Sequence, residues 1–336
     1  MDRILSPRHL DHPALNNLRE YHKSSYVHKK AYQTHREKVA DEAYADEALQ
    51  MHWFETMKKA LEEIDQVFKL TRAPEGFTFL DVGCCPGGFS SYILNANPNA
   101  RGTGLSLPVS QGGHSYLLEP NFRSRFKLIW GDINAYQLAP PYVVSDPRLV
   151  PLPLTPASHP DGFNLVLLDG HPLRREGSDV HSIGDRLLIS QLIIGLTVIT
   201  RGGTIVTKLS RPERTITAQL LWLFDALCKD LRTWKPVCIH APQGTFYAIA
   251  HGVGYGDLAA RHPQILNGLQ SLWIELRYAD QGRGRRLREG DLDFVIPEAA
   301  LELTYVDRLK QLSAHLWDVQ EKAWAGWHQQ TIGGLQ

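Results

Sequence analysis

The sequence predicts an α/β fold: the strands of a parallel sheet alternate with helices, and further helices extend both ends of the chain. Three observations predict it. Residues 77–94 read as strand, glycine turn and helix: Phe77-Thr-Phe-Leu-Asp81-Val-Gly83-Cys84-Cys85-Pro86-Gly87-Gly88-Phe89-Ser-Ser-Tyr-Ile-Leu94. Apolar runs then recur at 126–130, 163–168 and 204–209, with Asp132, Asp169 and Lys208 at or near their ends. Buried parallel strands have this composition, and ligands of open parallel sheets bind at the carboxyl ends. Finally, apolar residues recur at three- and four-residue steps near both ends of the chain, as amphipathic helices require.

In the glycine stretch, Gly83 lets the chain turn without a Cβ penalty. Pro86 fixes φ and suits the first turn of a helix. Gly87 and Gly88 leave bare backbone for a ligand to approach, and the helix start offers free N–H groups to it. The glycines miss the Gly-x-Gly-x-x-Gly spacing of a dinucleotide site, because Cys85 stands at its third position.

The bulk composition narrows the class. The 336 residues, 43% hydrophobic, suffice for one large domain with extensions or two modest ones. Lys+Arg and Asp+Glu are both 36, and this zero net charge counts against a large non-specific RNA footprint while allowing a local basic patch. The four cysteines, 84, 85, 228 and 238, have no metal-binding spacing, so no structural metal is expected and a reducing intracellular compartment fits. The first residues carry no long apolar run and no window is apolar enough to cross a membrane, so no membrane partner is expected.

Residues 1–70 read as a helical N-terminal extension. Between Asn16 and Lys38, the bases Arg19, Lys23, Lys29, Lys30, Arg36 and Lys38 interleave with Tyr21, Tyr26 and Tyr32. Such a helix either faces RNA or, more often, packs its tyrosines on the main domain. A second helix, 46–70, carries Leu49, Trp53, Met57, Leu61, Ile64 and Phe68 on one face, with Lys58 and Lys59 beside them. The helix after the glycine turn ends near Pro98, and Gly102–Pro108 forms a second strand. Asp132 closes the third strand, where it serves either a ligand or a helix cap. Seven prolines within 137–162 exclude a regular helix and predict a long irregular surface loop.

The fourth strand ends at Asp169 and is followed by an exposed loop with Arg174, Arg175 and His181, then a buried helix over 187–200. Arg201-Gly-Gly reads as a turn into the fifth strand. Lys208 near the end of that strand needs a partner, since lysine is almost never buried alone, and Asp169 is the obvious one. A helix over 216–231 and a strand pair, 234–239 with 245–250, complete the domain over 71–254. Residues 255–336 read as a helical C-terminal extension, with a helix around Leu266–Leu276, a basic run at Arg283, Arg285, Arg286 and Arg288, and a long helix over 301–324.

Asp-x-Gly-x-x-Pro-Gly-Gly-Phe, followed by strands ending in Asp132, Asp169 and Lys208, resembles the FtsJ-like and mRNA cap ribose 2′-O-methyltransferases over roughly residues 50–254. The resemblance implies a Rossmann-like, seven-stranded, mostly parallel sheet with helices on both faces and an antiparallel last strand. It implies S-adenosylmethionine as cofactor, held by Asp81, Gly83, Cys84, Pro86, Gly87, Gly88, Phe89, Leu105, Ser106, Asp132, Ile133 and Asp169. It implies RNA as partner, capped mRNA among the candidates, and a nuclear or cytoplasmic location. The family's catalytic set is Lys-Asp-Lys-Glu. Its Asp and second Lys carry over onto Asp169 and Lys208. The first Lys falls best on Lys59, with Lys58 the alternative. The Glu position falls on Thr245, and a preceding Arg position on His240.

Methyl transfer to a ribose hydroxyl needs help with a weak acid. A lysine ammonium beside the oxygen stabilises developing alkoxide, and a neutral lysine could instead accept the proton. With Thr245 in place of Glu, Lys208 keeps one acidic partner. Three readings stand: an RNA ribose 2′-O-methyltransferase; an O-methyltransferase of the same fold acting on a non-RNA hydroxyl; and a weakened module that binds cofactor or RNA. Fold alone does not choose among them.

Overall fold

Seven strands form the central sheet of the computed structural model, which describes residues 10–24, 47–72, 76–141, 143–154, 161–172 and 180–333. In chain order they are β1 (Thr78–Val82), β2 (Arg101–Ser106), β3 (Phe126–Trp130), β6 (Phe163–Leu168), β7 (Ile199–Ser210), β8 (Cys228–Trp234) and β9 (Thr245–Val253), while β4 (Tyr136–Gln137) and β5 (Val150–Pro151) pair separately. The sheet order is β3-β2-β1-β6-β7-β9-β8, parallel except for β9, which runs antiparallel to both β7 and β8. This is the mostly parallel, helix-covered sheet that the sequence predicts.

Side chains alternate between the two faces of a strand, and two apolar layers result. Phe79, Leu165, Leu167, Val206, Tyr247 and Ile249 face α2 (Glu47–Phe68) and α3 (Gly88–Ala96), meeting Leu61, Ile64, Phe89 and Ile93. Leu80, Val82, Val166, Leu168, Ile205, Phe246 and Ala248 face the other way. There they join α4 (Val180–Val198), α5 (Thr215–Leu227) and the C-terminal helices α7 (His262–Gly282), α8 (Glu298–Thr304) and α9 (Val306–Gly333). The N-terminal α1 (Pro13–Ser24) adds Leu15 and Leu18 to the same layer. Trp273 and Trp317 are fully buried in it. Each such side chain contributes roughly 1.5–3 kcal/mol relative to exposure, so both terminal segments stabilise the sheet they cover.

The structure redraws several expected boundaries. Pro86 lies outside the helix, after a cis Cys85–Pro86 bond, and the helix begins at Gly88 with Gly87 (φ +115) at its cap. Arg201-Gly-Gly sits inside β7 rather than before it: Gly202 takes φ +88, and a register shift against β6 absorbs the extra residues. The outer strand is Cys228–Trp234 and not 234–239, because α5 already stops at Leu227. Residues Val237–His240 form instead a single helical turn, α6, after Pro236. The last helix is split at Tyr305, whose hydroxyl donates to Asp225 from a buried position.

The proline-rich stretch is anchored rather than merely superficial, since Leu138, Ala139 and Leu154 reach the core. The basic run after α7 is largely neutralised: Arg285 is buried against Asp291 and Glu275, Arg286 pairs with Asp185 and Arg288 with Asp280. Arg283 bonds only the Asp280 carbonyl, so most but not all of the run's charge is paired among the described residues. Of the N-terminal basic helix, Arg19 bonds Leu10 and Asn16, and Tyr21 packs on the core. Tyr26, Lys29, Lys30, Tyr32, Arg36 and Lys38, the side chain of Lys23, and also Arg174, Arg175 and the side chain of His181, lie outside the described residues.

Candidate active site

The strand order reverses between β1 and β6, and a crevice opens at such a switch point. Here it is an open cleft of about 610 Å³, its mouth included. Its floor is built from the ends of four parallel strands: Gly83 and Cys85 after β1, Ser106 of β2, Gly131–Asn134 after β3 and Gly170 after β6. Gly113, His114 and His171 line it further on. Glycine at 83 has a physical reason. Its φ is +83, and a Cβ there would lie 2.5 Å from the Gly170 Cα, so any side chain would wedge the two strand ends apart.

Of the residues expected to hold a cofactor, Gly83, Ser106, Asp132 and Ile133 line this cleft. Asp132 also caps the following turn, accepting from the Asn134 N–H at 2.8 Å, so the cap and the cleft position coexist. Leu105, Cys84 and Phe89 are buried beneath it, Phe89 against the Tyr247 ring. Asp81 is buried too; it accepts a 2.6 Å hydrogen bond from Ser90, and burial pushes its carboxyl up to about 7. Pro86 and Gly87 form the turn against Leu117 and Leu118. Gly88 is glycine for a different reason from ligand approach: a Cβ there would meet the Phe54 carbonyl oxygen of α2 at 2.3 Å. Cys85 and Asn134 line the cleft without having been singled out. The Asn134 Oδ1 is buried with no hydrogen-bond partner among the described residues, and no periodicity or spacing marks it in the sequence.

A second cluster lies at the same edge of the sheet. Lys208 Nζ stands 3.0 Å from Asp169 Oδ1 and donates to the Asp169 carbonyl at 2.6 Å. Tyr247, directly across the β7–β9 ladder from Lys208, donates its hydroxyl to the same Oδ1 at 2.9 Å. Burial and that carboxylate hold the Tyr247 hydroxyl well above the usual phenol range. Asp169 is thus fixed from two strands, and it in turn fixes the lysine. Thr245 pairs with Ser210 and is half-buried, two residues along the strand from Tyr247 and so on its face.

The segment between β8 and β9 arches over this edge. The Lys235 Nζ is buried inside the arch and donates to the carbonyls of His240, Gln243 and Thr245. Burial pushes it down to about 7, against the three carbonyls, which favour the ammonium. Glu63 of α2 accepts from the Val237 and Cys238 N–H groups, a carboxylate at a helix start. These contacts hold His240 against Tyr247, ring centroids 5.8 Å apart. Burial, with the nearby Lys208 charge, holds His240 down at about 4, hence neutral at pH 7. His114 is likewise held at about 4 by burial and Lys208. Because His114 also lines the cleft and bonds Gln50 of α2, it joins the two clusters into one site.

The remaining lysine candidates separate here. Lys58 is half-buried and paired at 3.1 Å with Glu119, which also accepts from Ser91. Lys59 is exposed and has no hydrogen bond or ion pair among the described residues. Its charge bears on Cys238. The structure therefore brings together Asp169, Lys208 and, along the strand, Thr245, with no bond among the described residues tying Lys59 to them. Among the described residues no group of three or more His, Cys, Asp or Glu could hold a metal ion, and no helix is long and apolar enough to cross a membrane.

A family model for FtsJ-like methyltransferases matches residues 59–250, more than half of the chain. The cap-specific mRNA (nucleoside-2′-O-)-methyltransferase 1 of Caenorhabditis elegans is 22% identical over 183 residues, which are 54% of this chain. The match takes in 20% of that relative, so the chain spans about a fifth of the protein it resembles. Among solved structures, a ribosomal RNA methyltransferase from Plasmodium falciparum aligns at 20% identity and TM-score 0.39, over 58% of this chain and 96% of that one. CalO1, a methyltransferase of calicheamicin biosynthesis with bound SAH, aligns at 19% and 0.36, over 62% and 59%.

The cleft fits an adenosine cofactor on its own terms. Ser106 supplies a hydroxyl, Asp132 an exposed carboxylate, and Asn134 a buried acceptor that lacks a donor; ribose hydroxyls and an exocyclic amine are donors of the needed kind. With the strand order, the switch-point cleft and the matched family model in agreement, the chain belongs to the FtsJ-like methyltransferase family, whose cofactor is S-adenosylmethionine.

Proposed function

We propose that the protein methylates the 2′-hydroxyl of an RNA ribose, and that capped mRNA is the first substrate to test. One observation carries the reading: Lys208, fixed by the Asp169 carboxylate and carbonyl, stands at the sheet edge where the cofactor cleft opens. S-adenosylmethionine supplies an electrophilic methyl group on a sulfonium. The chain's own residues must then deal with the hydroxyl. Asp169, held by Tyr247, orients Lys208. The lysine stabilises the charge that develops on the attacking oxygen, and the dry wall of Phe89, Tyr247 and His240 keeps that interaction strong. His114, neutral and beside Trp53, forms the side of the site next to α2, where a nucleobase would stack. The cap-specific relative supports the ribose target, and the proposed location is nuclear or cytoplasmic.

Thr245 favours a second reading, an O-methyltransferase whose acceptor hydroxyl belongs to another molecule, since the family's carboxylate is replaced by a neutral hydroxyl. The deciding experiment supplies labelled S-adenosylmethionine with capped RNA, uncapped RNA or small phenols, and digests the RNA to nucleosides. Label in 2′-O-methylnucleosides is the expected result. Lys208→Met should cut transfer by about 10²–10⁴-fold while cofactor affinity stays within a few-fold, because the loss lies in the transition state. Label on a base or on the phenols alone overturns the proposal, as does full turnover by folded Lys208→Met.

A further inference from the structure

The His240 Nε2 is buried and has no hydrogen-bond partner among the described residues, and the residue is 8% exposed. A buried polar atom left unpaired costs about 1–3 kcal/mol, so its persistence calls for a reason. The other ring nitrogen, Nδ1, lies 3.3 Å from the Gln243 Oε1. An amide oxygen only accepts, so Nδ1 carries the proton and Nε2 presents a lone pair. The ring is neutral and feels both Lys208 and Asp169. Lys208 has three N–H donors, of which the Asp169 carboxylate and carbonyl engage two. An acceptor without a donor among the described residues is thus packed on Tyr247, whose hydroxyl shares the Asp169 carboxylate with Lys208, a donor with a proton to spare.

We propose that His240 is a positioning residue for Lys208, taking the part that the family gives to the glutamate replaced by Thr245. When the acceptor hydroxyl enters, the ammonium exchanges the Asp169 carbonyl for Nε2 and is held between a carboxylate and a neutral imidazole. The arch supports this: Lys235 bonds the carbonyls of both His240 and Thr245, so the substituted position and its substitute are tied to one buried lysine. The inference rests on the ribose-methylation reading above.

The test compares His240→Ala, His240→Gln and His240→Asn in the full chain. The glutamine amide reaches the place of Nε2, whereas the asparagine amide reaches only that of Nδ1. His240→Ala should lower kcat for RNA about 10²-fold, with KM and calorimetric S-adenosylhomocysteine affinity within a few-fold. His240→Gln should recover at least ten-fold of this, and His240→Asn should not. Independently of turnover, the imidazole ¹⁵N resonance of Nε2 should move when S-adenosylhomocysteine and RNA are added to wild type, and stay still in Lys208→Met. A His240→Ala protein with wild-type kcat, equal recovery by both amides, or an unmoved resonance in wild type overturns the proposal. If wild type methylates no RNA, the ribose reading falls and this pairing with it; if wild type turns over and His240→Ala matches it, only the pairing falls.

Discussion

Gly88→Ala should weaken the fold before it weakens cofactor binding. An added Cβ would lie 2.3 Å from the Phe54 carbonyl oxygen, 2.8 Å from the Lys58 nitrogen and 2.9 Å from the Met57 Cβ. Two of these three atoms are backbone of α2 and cannot rotate away. Carbon–oxygen contact needs more than 3 Å, so α2 must move off α3 by close to an ångström, carrying the buried Leu61 and Ile64 with it. Overpacking a core costs about 1–3 kcal/mol, and a backbone obstacle puts this case at the upper end, roughly 3 kcal/mol. At about 2 °C per kcal/mol for a chain of this size, the thermal midpoint should fall by roughly 6 °C. Differential scanning calorimetry reads the midpoint, and titration with S-adenosylhomocysteine at 15 °C reads affinity, which should stay within a few-fold. A variant that melts with wild type yet loses cofactor would show that Gly88 faces the ligand and that the α2 packing argument is wrong.

Asp81→Asn should gain stability relative to wild type as pH rises. Burial raises the folded-state carboxyl from its ordinary value to about 7, so the folded protein binds more protons than the unfolded chain between about pH 4 and 7, and wild-type stability is lost across that window. Midpoints measured at pH 5 and pH 8 should therefore diverge in the variant's favour at pH 8, and an equal offset at both refutes the account. Arg285→Ala leaves the half-buried Asp291 with only the Arg288 N–H and should cost about 3 kcal/mol in urea unfolding while leaving RNA affinity unchanged; a large affinity loss would restore the basic run as a binding surface. Thr245→Glu should lower RNA transfer, read as kcat with capped RNA, because a half-buried carboxylate is added to a site already set by Asp169 and His240; a raised kcat refutes that account.

The architecture was legible because it rests on local patterns that tertiary context does not override. Residues 163–168 are short and apolar but for Asn164, as a strand covered on both faces must be, and α2 shows its buried face as Leu61 and Ile64 at helical spacing. Boundaries failed where a distant contact decides them. Nothing between Ile216 and Leu231 announces that α5 ends at Leu227, because Cys228 leaves the helix to pair with Val253 of β9. Likewise Tyr305 breaks a periodic apolar run by reaching Asp225, eighty residues away.

The site divides along the same line. The Lys208–Asp169 pair could be read from the sequence, since a lysine at the end of an apolar strand and a carboxylate at the end of its neighbour have one arrangement open to them. The glycines could be located but not interpreted. Gly83 is held by another strand end and Gly88 by a helix thirty residues earlier, and neither contact has a sequence signature. His240 shows why a motif departure is best judged with the fold in hand. Its position lies five residues before Thr245 in a stretch with no periodicity, so the sequence offers two unrelated substitutions, an arginine position filled by histidine and a glutamate position filled by threonine. Lys235 brings the two positions together by bonding both backbones from inside the arch. A carboxylate at 245 beside a charged arginine at 240 would form a pair of its own, whereas threonine and a neutral imidazole would not. If the two positions are coupled, the coupling is measurable: Thr245→Glu and His240→Arg should each impair turnover alone and impair it less in combination.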